Sequence, residues 1–513
     1  MPTTMTSFFT STDYLLTLPM IMLAVFAIGI LLIDLLLPPE WKRLNACTAL
    51  AGLAFSAAAV WKVQHAHFTT GRPLVGSYGY IVGGLGALKV DSFAIYFFYL
   101  FLAGTAVAVL MSVKYLEIEQ EEHGEFYALM LFAVVGMMCM AAGMDLILLF
   151  IGLELMALST YVLVGFLRRD RRSNEAALKY LLLGAFSSGI FAYGLSLIYG
   201  LTGSTNLDQI ALELGEHMQQ HPADPVAILA LLTTATGLLF KIAAVPFHQW
   251  APDAYEGAPT SITGFMSVAV KAASWALLLR IFLWGLPALR TLYVPLLTFV
   301  AIVTLVGGNF AALTQTNTKR LLAYSSISHV GFMMLGLVAS DGLTNTTGIK
   351  GILIYLLVYT FMNLGVFAVI TSLRRRDIIG DEITDMSGLI FKAPVEAVLL
   401  LVFLLSLAGI PPLAGFWGKY FVFLALIETG HYTLAAVAVL FAVLGLYYYA
   451  RIFNQAFMQK PVDAEPVAAG LGMRVALLVT GLGTVIIGVF PNVFIEAATW
   501  SMSMPRSMLG LLR

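Results

Sequence analysis

The sequence predicts an all-α, polytopic membrane protein with about fourteen transmembrane helices, and three observations support this fold class. First, 60% of its 513 residues are hydrophobic and only 11% are charged, which is far from the composition of soluble domains. Second, its apolar runs reach or exceed the roughly 20 residues that a helix needs to cross a bilayer. Third, two runs are too long for one straight helix and contain prolines, which indicates helices that break inside the membrane.

Successive apolar runs along the chain each predict one membrane span. The first run is too long for the core of a signal peptide and has no basic region before it, so it is interpreted as a transmembrane helix. The predicted spans are 14–37, 44–63, 91–113, 126–143, 145–167, 177–200, 226–258, 260–282, 292–311, 318–340, 349–372, 394–427, 431–457 and 472–491.

Two of these runs are predicted to be broken helices, because proline removes a backbone donor and clashes with the preceding turn. The seventh run, 226–258, is interrupted at Pro246 and Pro252. The twelfth run, 394–427, is interrupted by Gly409, Ile410, Pro411, Pro412 and Gly415. Broken helices at membrane depth are tolerated where they line a cavity, and they often form the binding site of a transporter.

The spacing of the two broken spans predicts an internal repeat. They are five spans apart, and a five-helix unit repeated in tandem must enter the membrane from the opposite side. Spans 4–8 and 9–13 are therefore predicted to form two inverted repeats, each with a lysine near its broken helix. This layout divides the chain into spans 1–3 with an acidic loop (1–125), a first repeat (126–282), a second repeat (292–457) and span 14 with the C-terminal tail (458–513).

The basic residues of the loops predict the orientation. If the spans alternate, the main basic groups all fall on one side, which the positive-inside rule makes cytoplasmic, and both termini are periplasmic. The acidic loop 114–125 falls on the same side as a mild exception; it is either a solvated turn or a subunit contact. The basic groups are Lys42, Arg43, Arg168, Arg169, Arg171, Arg172, Lys319, Arg320, Arg374, Arg375 and Arg376.

Four charged residues inside the apolar runs are the candidate functional groups. A charge at the bilayer centre costs about 2.5–3.5 kcal/mol on insertion scales, so it persists where it faces a protein interior or a wet cavity. Lys241 lies near the middle of the seventh span, Lys271 near the centre of the eighth, and Lys419 follows the second break. Glu154 is the only charge in the stretch Leu146–Leu167. The alternatives are a structural carboxylate and, above all for Lys419, lysines that snorkel to an interface.

Proton transfer is the chemistry that suits these groups. Burial disfavours the ammonium form of a lysine and a nearby carboxylate restores it, so a Glu154–Lys241 pair is predicted to act as a gate for a proton. His248 and His329 are candidate relays between the lysines. A hydrogen-bonded structural role is an equal alternative for His248. Tyr324 and the serines beside His329 either order water or hold helices together.

Several function classes are excluded. A net charge of −1 provides no basic surface for nucleic acid. Cys47 and Cys139 form no metal-binding spacing, and no motif for a nicotinamide, flavin or haem group is present. The chain is therefore predicted to hold no metal and no redox cofactor, so that the energy for transport must come from a gradient or from partner chains.

Three stretches resemble the signature of the antiporter-like subunits of respiratory complex I, the NADH–quinone oxidoreductase. They are 241–260 (KIAAVPFHQWAPDAYEGAPT), 319–329 (KRLLAYSSISH) and 409–419 (GIPPLAGFWGK). The resemblance covers spans 4–13, and the first three spans match more loosely. Two features favour one branch of this family: lysine at 419, where a sister subunit carries glutamate, and a chain that stops about twenty residues after its last span.

The resemblance implies a fold of fourteen helices and a proton-translocating subunit of complex I. It implies that Glu154 and Lys241 match the family's conserved pair, Lys271 its central relay lysine and Lys419 the terminal lysine of its channel. It further implies other antiporter-like subunits and small quinone-linking subunits as neighbours. The length and the fourteen spans favour a prokaryotic inner membrane. NADH, FMN, iron–sulfur clusters and quinone would then be handled by those partner chains.

Three other functions share some of these features. They are a subunit of a multi-subunit sodium/proton antiporter, a membrane subunit of a hydrogenase-type complex, and a structural scaffold whose charges only hold helices together. The sequence leaves open whether sodium can replace the proton and whether the partner's quinone is ubiquinone or menaquinone.

Overall fold

The computed structural model describes residues 11–66, 80–82, 86–340, 345–374, 380–461 and 470–502, most of which are helical. The helices are α1 (Ser11–Asp34), α2 (Leu44–Gln64), α3 (Ser92–Glu119), α4 (Gly124–Ala142), α5 (Leu146–Val164), α6 (Arg171–Thr202), α7 (Leu207–Gln220), α8 (Pro225–Ile242), α9 (Trp250–Gly257), α10 (Thr260–Phe265), α11 (Lys271–Leu279), α12 (Arg290–Thr314), α13 (Thr318–Val338), α14 (Thr347–Leu373), α15 (Leu389–Lys392), α16 (Pro394–Ala408), α17 (Ala414–Glu428), α18 (Tyr432–Met458), α19 (Leu471–Val489) and α20 (Asn492–Ser501). Strands β1 (Tyr80–Val82) and β2 (Leu88–Val90) form an antiparallel hairpin between α2 and α3.

The described part of the chain contains 13 helical segments that are long and apolar enough to cross a membrane, which confirms the predicted fold class. One of them, Thr260–Gly285, runs through α10 and α11 and includes two π-helical stretches. The count is one below the predicted fourteen because the twelfth span consists of two helices, α16 and α17. Each has 15 residues and is too short to span the membrane alone.

Both predicted breaks are present. Helix α8 ends before Ala243 and helix α16 ends before Gly409, and both of these residues have a left-handed backbone, with φ of 60° and 87°. A left-handed residue ends a helix because its amide turns back to the last carbonyls. Pro252 and Gly415 were predicted to interrupt the helices, and this was wrong: each lies in the first turn of the next helix, where the intrahelical bonds have yet to begin.

Four elements were not predicted: the β-hairpin, α7, α15 and α20. Helix α7 is amphipathic and buries Leu207, Ile210 and Leu214 while its other face is polar. Average hydropathy does not detect such a helix, because apolar and polar residues cancel within the window.

The most deeply buried helices lie at the centre of the molecule. In both α13 and the segment Thr260–Gly285, 94% of the residues in the apolar stretch are buried inside the protein. The corresponding share is 33% in α1 and in α18. The two predicted repeats have matching neighbours, since α4 packs on α5 as α12 packs on α13, and α6 packs on α8 as α14 packs on α16. The inverted relation between them stays a prediction.

Ion pairs join several basic loops on one surface, here called the arginine face and defined by Arg43, Arg172, Arg320 and Arg374. Arg43 pairs with Glu117 at 2.8 Å and Arg374 with Glu119 at 2.5 Å. Half of the acidic stretch predicted as a loop, residues 114–119, is therefore the end of α3, held by ion pairs within the chain. Arg375 and Arg376 lie outside the described residues, as do the last residues of the C-terminal tail.

Candidate functional site

All three candidate lysines are buried in protein rather than directed to an interface. Lys241, Lys271 and Lys419 are 5%, 4% and 7% exposed. Each ammonium group lies within hydrogen-bond distance of protein oxygen atoms. The alternative, in which these lysines snorkel and place their ammonium groups at the membrane interface, is therefore excluded.

Lys241 lies in the last turn of α8 and contacts α5. Its Nζ donates to the hydroxyl of Tyr161 at 3.2 Å and lies 5.5 Å from the centre of that ring. Glu154 is seven residues before Tyr161, two turns or about 10.5 Å along the same face of α5. Among the described residues no ion pair within 4.0 Å joins Glu154 to Lys241, and the buried Oε1 of Glu154 has no hydrogen-bond partner. The predicted pair is therefore open in this structure, and a tyrosine holds the ammonium instead.

His248 lies in the break between α8 and α9. It is partly buried, and its ring centre is 6.4 Å from that of Tyr324 on α13. Its Nδ1 has no hydrogen-bond partner in the described part of the chain. The histidine thus faces from the first broken helix toward the central helix.

Lys271 is positioned by a π-helical stretch, Met266–Val270, that ends directly before it. Such a bulge inserts an extra residue into a helix turn and is frequent at functional sites. The Lys271 Nζ donates to the backbone carbonyl of Ser326 at 3.2 Å and also contacts the Ser326 hydroxyl. The central lysine is therefore attached to α13.

His329 lies one turn beyond Ser326 on α13, between Lys271 and Lys419. Its Nδ1 is 2.5 Å from the Tyr355 hydroxyl and its Nε2 is 3.0 Å from the Tyr449 hydroxyl. The Lys419 Nζ lies 5.3 Å from the ring centre of Phe332, one turn further along α13. A histidine with a partner at each nitrogen can accept a proton on one side and donate one on the other.

Lys419 is held by the other half of its own broken span. Its Nζ donates to the carbonyls of Leu407 at 3.1 Å and Ala408 at 2.7 Å, in the last turn of α16. These carbonyls have no intrahelical donor and carry the negative end of the helix dipole, so they attract a cation. The break in the helix thus creates the binding site of the ammonium.

Sequence reasoning missed two kinds of group. Tyr161, Tyr355 and Tyr449 contact Lys241 or His329, but an isolated tyrosine in an apolar helix gives no signal of such a role. Arg280 is fully buried and forms a bidentate pair with Asp91, at 2.6 and 2.9 Å. Arg280 could have been found from the sequence, because it is a charged residue within the predicted span 260–282.

No group of three or more potential metal-ligating side chains occurs in the part of the chain that the structure describes. The site consists of lysine, histidine, tyrosine, serine and glutamate side chains with backbone carbonyls. Such groups can bind, hold and pass protons, whereas electron transfer requires a redox centre.

Comparison with known proteins yields both a family and a fold. Residues 143–445 match the family model described as NADH:quinone oxidoreductase/Mrp antiporter, TM. The chain is 68% identical over 513 residues to NADH-quinone oxidoreductase subunit N 1 of Koribacter versatilis, with all of both chains covered. It is 52% identical to subunit N 2 of Solibacter usitatus, covering 96% of this chain and 98% of that one.

Among solved structures, a chain of respiratory complex I from Thermus thermophilus matches with a TM-score of 0.75 and 32% identity. The match covers 94% of this chain and 99% of that one. A chain of the Mrp complex from Dietzia sp. matches with a TM-score of 0.81 at 21% identity, over 96% and 97% of the two chains, which shows a shared fold.

Proposed function

The chain belongs to the NADH:quinone oxidoreductase/Mrp antiporter family of membrane subunits, and on that premise we propose that its buried lysines carry protons across the membrane arm of complex I. The chain is a proton-translocating membrane subunit of that complex. The proposal concerns which groups move the proton and in what order.

The continuity of polar groups along α13 is the observation that carries the proposal. Lys271 is bonded to Ser326, and His329 follows one turn later. One turn further, the ring centre of Phe332 lies 5.3 Å from the Lys419 Nζ. These groups are buried in the centre of the molecule, where an ionisable side chain without function would only cost free energy. A proton released at Lys271 would pass by way of His329 to Lys419.

The Glu154–Lys241 pair is proposed as the gate. In the open arrangement seen here the ammonium of Lys241 rests on Tyr161, a neutral partner. Movement of Lys241 toward Glu154 would stabilise the ammonium form, and its return would release the proton toward His248 and α13. Moving one charge against 100 mV costs about 2.3 kcal/mol, which is within the range of a buried pair that opens and closes.

The finer arrangement is also proposed. Residues 126–282 and 292–457 form the two inverted repeats, and the arginine face is cytoplasmic, with both termini on the periplasmic side of an inner membrane. Other antiporter-like and quinone-linking subunits flank the chain. NADH, FMN, iron–sulfur clusters and quinone are bound by those partners, whose reaction drives the gate.

A pumping assay on the assembled complex tests this function. Lys241→Ala and Glu154→Ala should reduce proton pumping at least about tenfold, since a positioned proton-transfer group commonly contributes ~10²-fold or more. Lys179→Ala is the matched control, because Lys179 has a side chain that is 46% exposed and ion pairs only at the surface. Normal proton pumping by an assembled complex that carries Lys241→Ala would contradict the proposed mechanism.

A further inference from the structure

A second buried ion pair lies at the arginine face, and the proposed path does not use it. Lys319, at the start of α13, is 3% exposed, and Asp381, after α14, is 6% exposed. The Lys319 Nζ is 3.3 Å from Asp381 Oδ2 and donates to the carbonyl of Ala258 at 2.9 Å. Burying two charges costs desolvation free energy that their attraction does not always recover. The presence of this pair therefore calls for a structural or a functional reason.

The Asp381 side chain is incompletely bonded. Its Oδ1 is buried and has no hydrogen-bond partner among the described residues. The buried hydroxyl of Thr318, whose amide donates to the backbone of Asp381, likewise lacks a partner among these residues, as does the hydroxyl of Ser261, three residues after Ala258. Buried polar atoms are nearly always bonded, so unpaired atoms at one location indicate a place for water or for a proton.

The segment that carries Asp381 is anchored by other bonds. Its backbone carbonyl accepts from the amide of Thr318 at 2.7 Å, and the amide of Ile383 donates to Thr316 at 3.0 Å. The side chain of Asn317 donates to Glu382 at 3.2 Å. The Asp381 carboxylate is therefore not required to hold the segment in place.

Helix α13 connects this pair to the central lysine. Lys319 and Ser326 are seven residues apart, which places them on one face of the helix about 10.5 Å from each other. Ser326 is bonded to Lys271. Ala258, which accepts from Lys319, lies two residues before α10, and α10 leads through the π-helical stretch to Lys271.

We propose that Asp381, with Lys319 as its counter-ion, is the group through which protons enter this subunit from the arginine face on their way to Lys271. The proposal rests on the function proposed above. A proton from water binds Asp381 Oδ1, which neutralises the carboxylate and frees the Lys319 ammonium from its partner. Unpaired hydroxyls and intervening water then pass a proton to Lys271, and Asp381 returns to the carboxylate.

The surroundings of Asp381 are consistent with reversible protonation. Burial raises the pKa of the Asp381 carboxyl above its usual value, while nearby cations oppose this effect. The charged and titratable groups that face Asp381 are Lys319, Arg374, Arg172, Tyr115 and Glu119, the last through its pair with Arg374. Because protonation is needed for entry, uptake should fall as the pH at this face rises.

Proton uptake by the whole complex, reconstituted with the arginine face outward, tests the proposal. Uptake is followed from pH 6 to 9 with a pH-sensitive dye. Asp381→Asn should lower uptake at least about tenfold and remove its dependence on the outer pH. Asp381→Glu, which keeps a carboxyl group, should retain the rate within about threefold and keep the pH dependence.

Asp385→Asn is the structural control, because Asp385 lies in the same segment, accepts from the amide of Glu382 at 3.0 Å and does not contact Lys319. It should show the wild-type profile. A wild-type profile for Asp381→Asn, or an equal loss with Asp385→Asn, would overturn the proposal. Lys271→Ala, measured in parallel, separates the two hypotheses: pumping lost there but kept in Asp381→Asn rejects this entry site alone, whereas pumping kept in both rejects the proposed function as well.

Discussion

Each of the three lysines in the proposed path is bonded to neutral oxygens rather than to a carboxylate. Lys241 contacts a phenol, Lys271 a serine, and Lys419 two backbone carbonyls. A neutral acceptor stabilises an ammonium less than a charged one does. Each lysine is therefore held in position, but its ammonium form is not strongly stabilised. A proton relay requires this, because each group must both bind and release the proton.

Tyr161→Phe tests this arrangement, because it removes only the hydroxyl that accepts from Lys241. We expect pumping to fall about three- to tenfold with normal assembly, since the ammonium loses its partner in the open state. Tyr199→Phe is the control, because Tyr199 is 52% exposed on α6. Equal pumping by both variants and wild type would show that Tyr161 has no part in the path.

The ends of the broken helices are the elements that organise the site. A continuous α16 would bond the carbonyls of Leu407 and Ala408 internally and leave no acceptors for Lys419. The interruptions predicted at Pro246 and at 409–412 were correct because proline and glycine act locally, whereas Pro252 and Gly415 belong to the helices that follow. The extra helix α7 escaped prediction because its apolar and polar residues cancel in the average hydropathy, and the π-helical stretch before Lys271 has no sequence signal comparable to a proline.

Gly409→Ala tests the role of the break. Gly409 has φ of +87°, and a Cβ there would lie 2.8 Å from Lys419 Cδ. The variant should lose about 1–2 kcal/mol of stability from backbone strain and also displace the lysine, with a loss of pumping. Thermal unfolding and proton pumping of the assembled complex measure the two effects.

Gly430→Ala is the matched control for Gly409→Ala. Gly430 also has a left-handed backbone, with φ of +74°, but has no atom within 4 Å of the added Cβ. It should lose similar stability and keep its pumping. A similar effect of both substitutions on pumping would contradict the proposed role of the break.

At the scale of the whole molecule, buried ion pairs connect helices that are distant in sequence. Arg280 joins the segment Thr260–Gly285 to Asp91 at the start of α3 and donates to the carbonyl of Ala141 in α4. Hydropathy and proline positions predict the spans and the breaks, and charges in apolar runs predict Lys241, Lys271 and Lys419 as buried groups. Their partners could not be predicted, because they come from other helices and depend on tertiary packing.

Asp91→Ala should destabilise the assembled subunit by about 3–5 kcal/mol, since it leaves the guanidinium of Arg280 buried and unpaired. Asp145→Ala is the control, because Asp145 caps α5 as Asp91 caps α3 but has no ion pair in the described chain. Its loss should be about 1 kcal/mol. Equal shifts of the thermal midpoint in the two variants would show that the buried pair adds no stability beyond the cap.

The number of protons pumped per electron by assembled complex carrying Lys271→Met tests the central claim most directly. Lys271 is the buried group between the gate and His329, and methionine keeps its length without a proton-binding site. The account predicts a ratio below that of the wild-type complex, together with normal assembly and normal electron transfer to an added quinone when the membrane potential is collapsed. An unchanged ratio would contradict the claim that protons pass through this row of buried side chains.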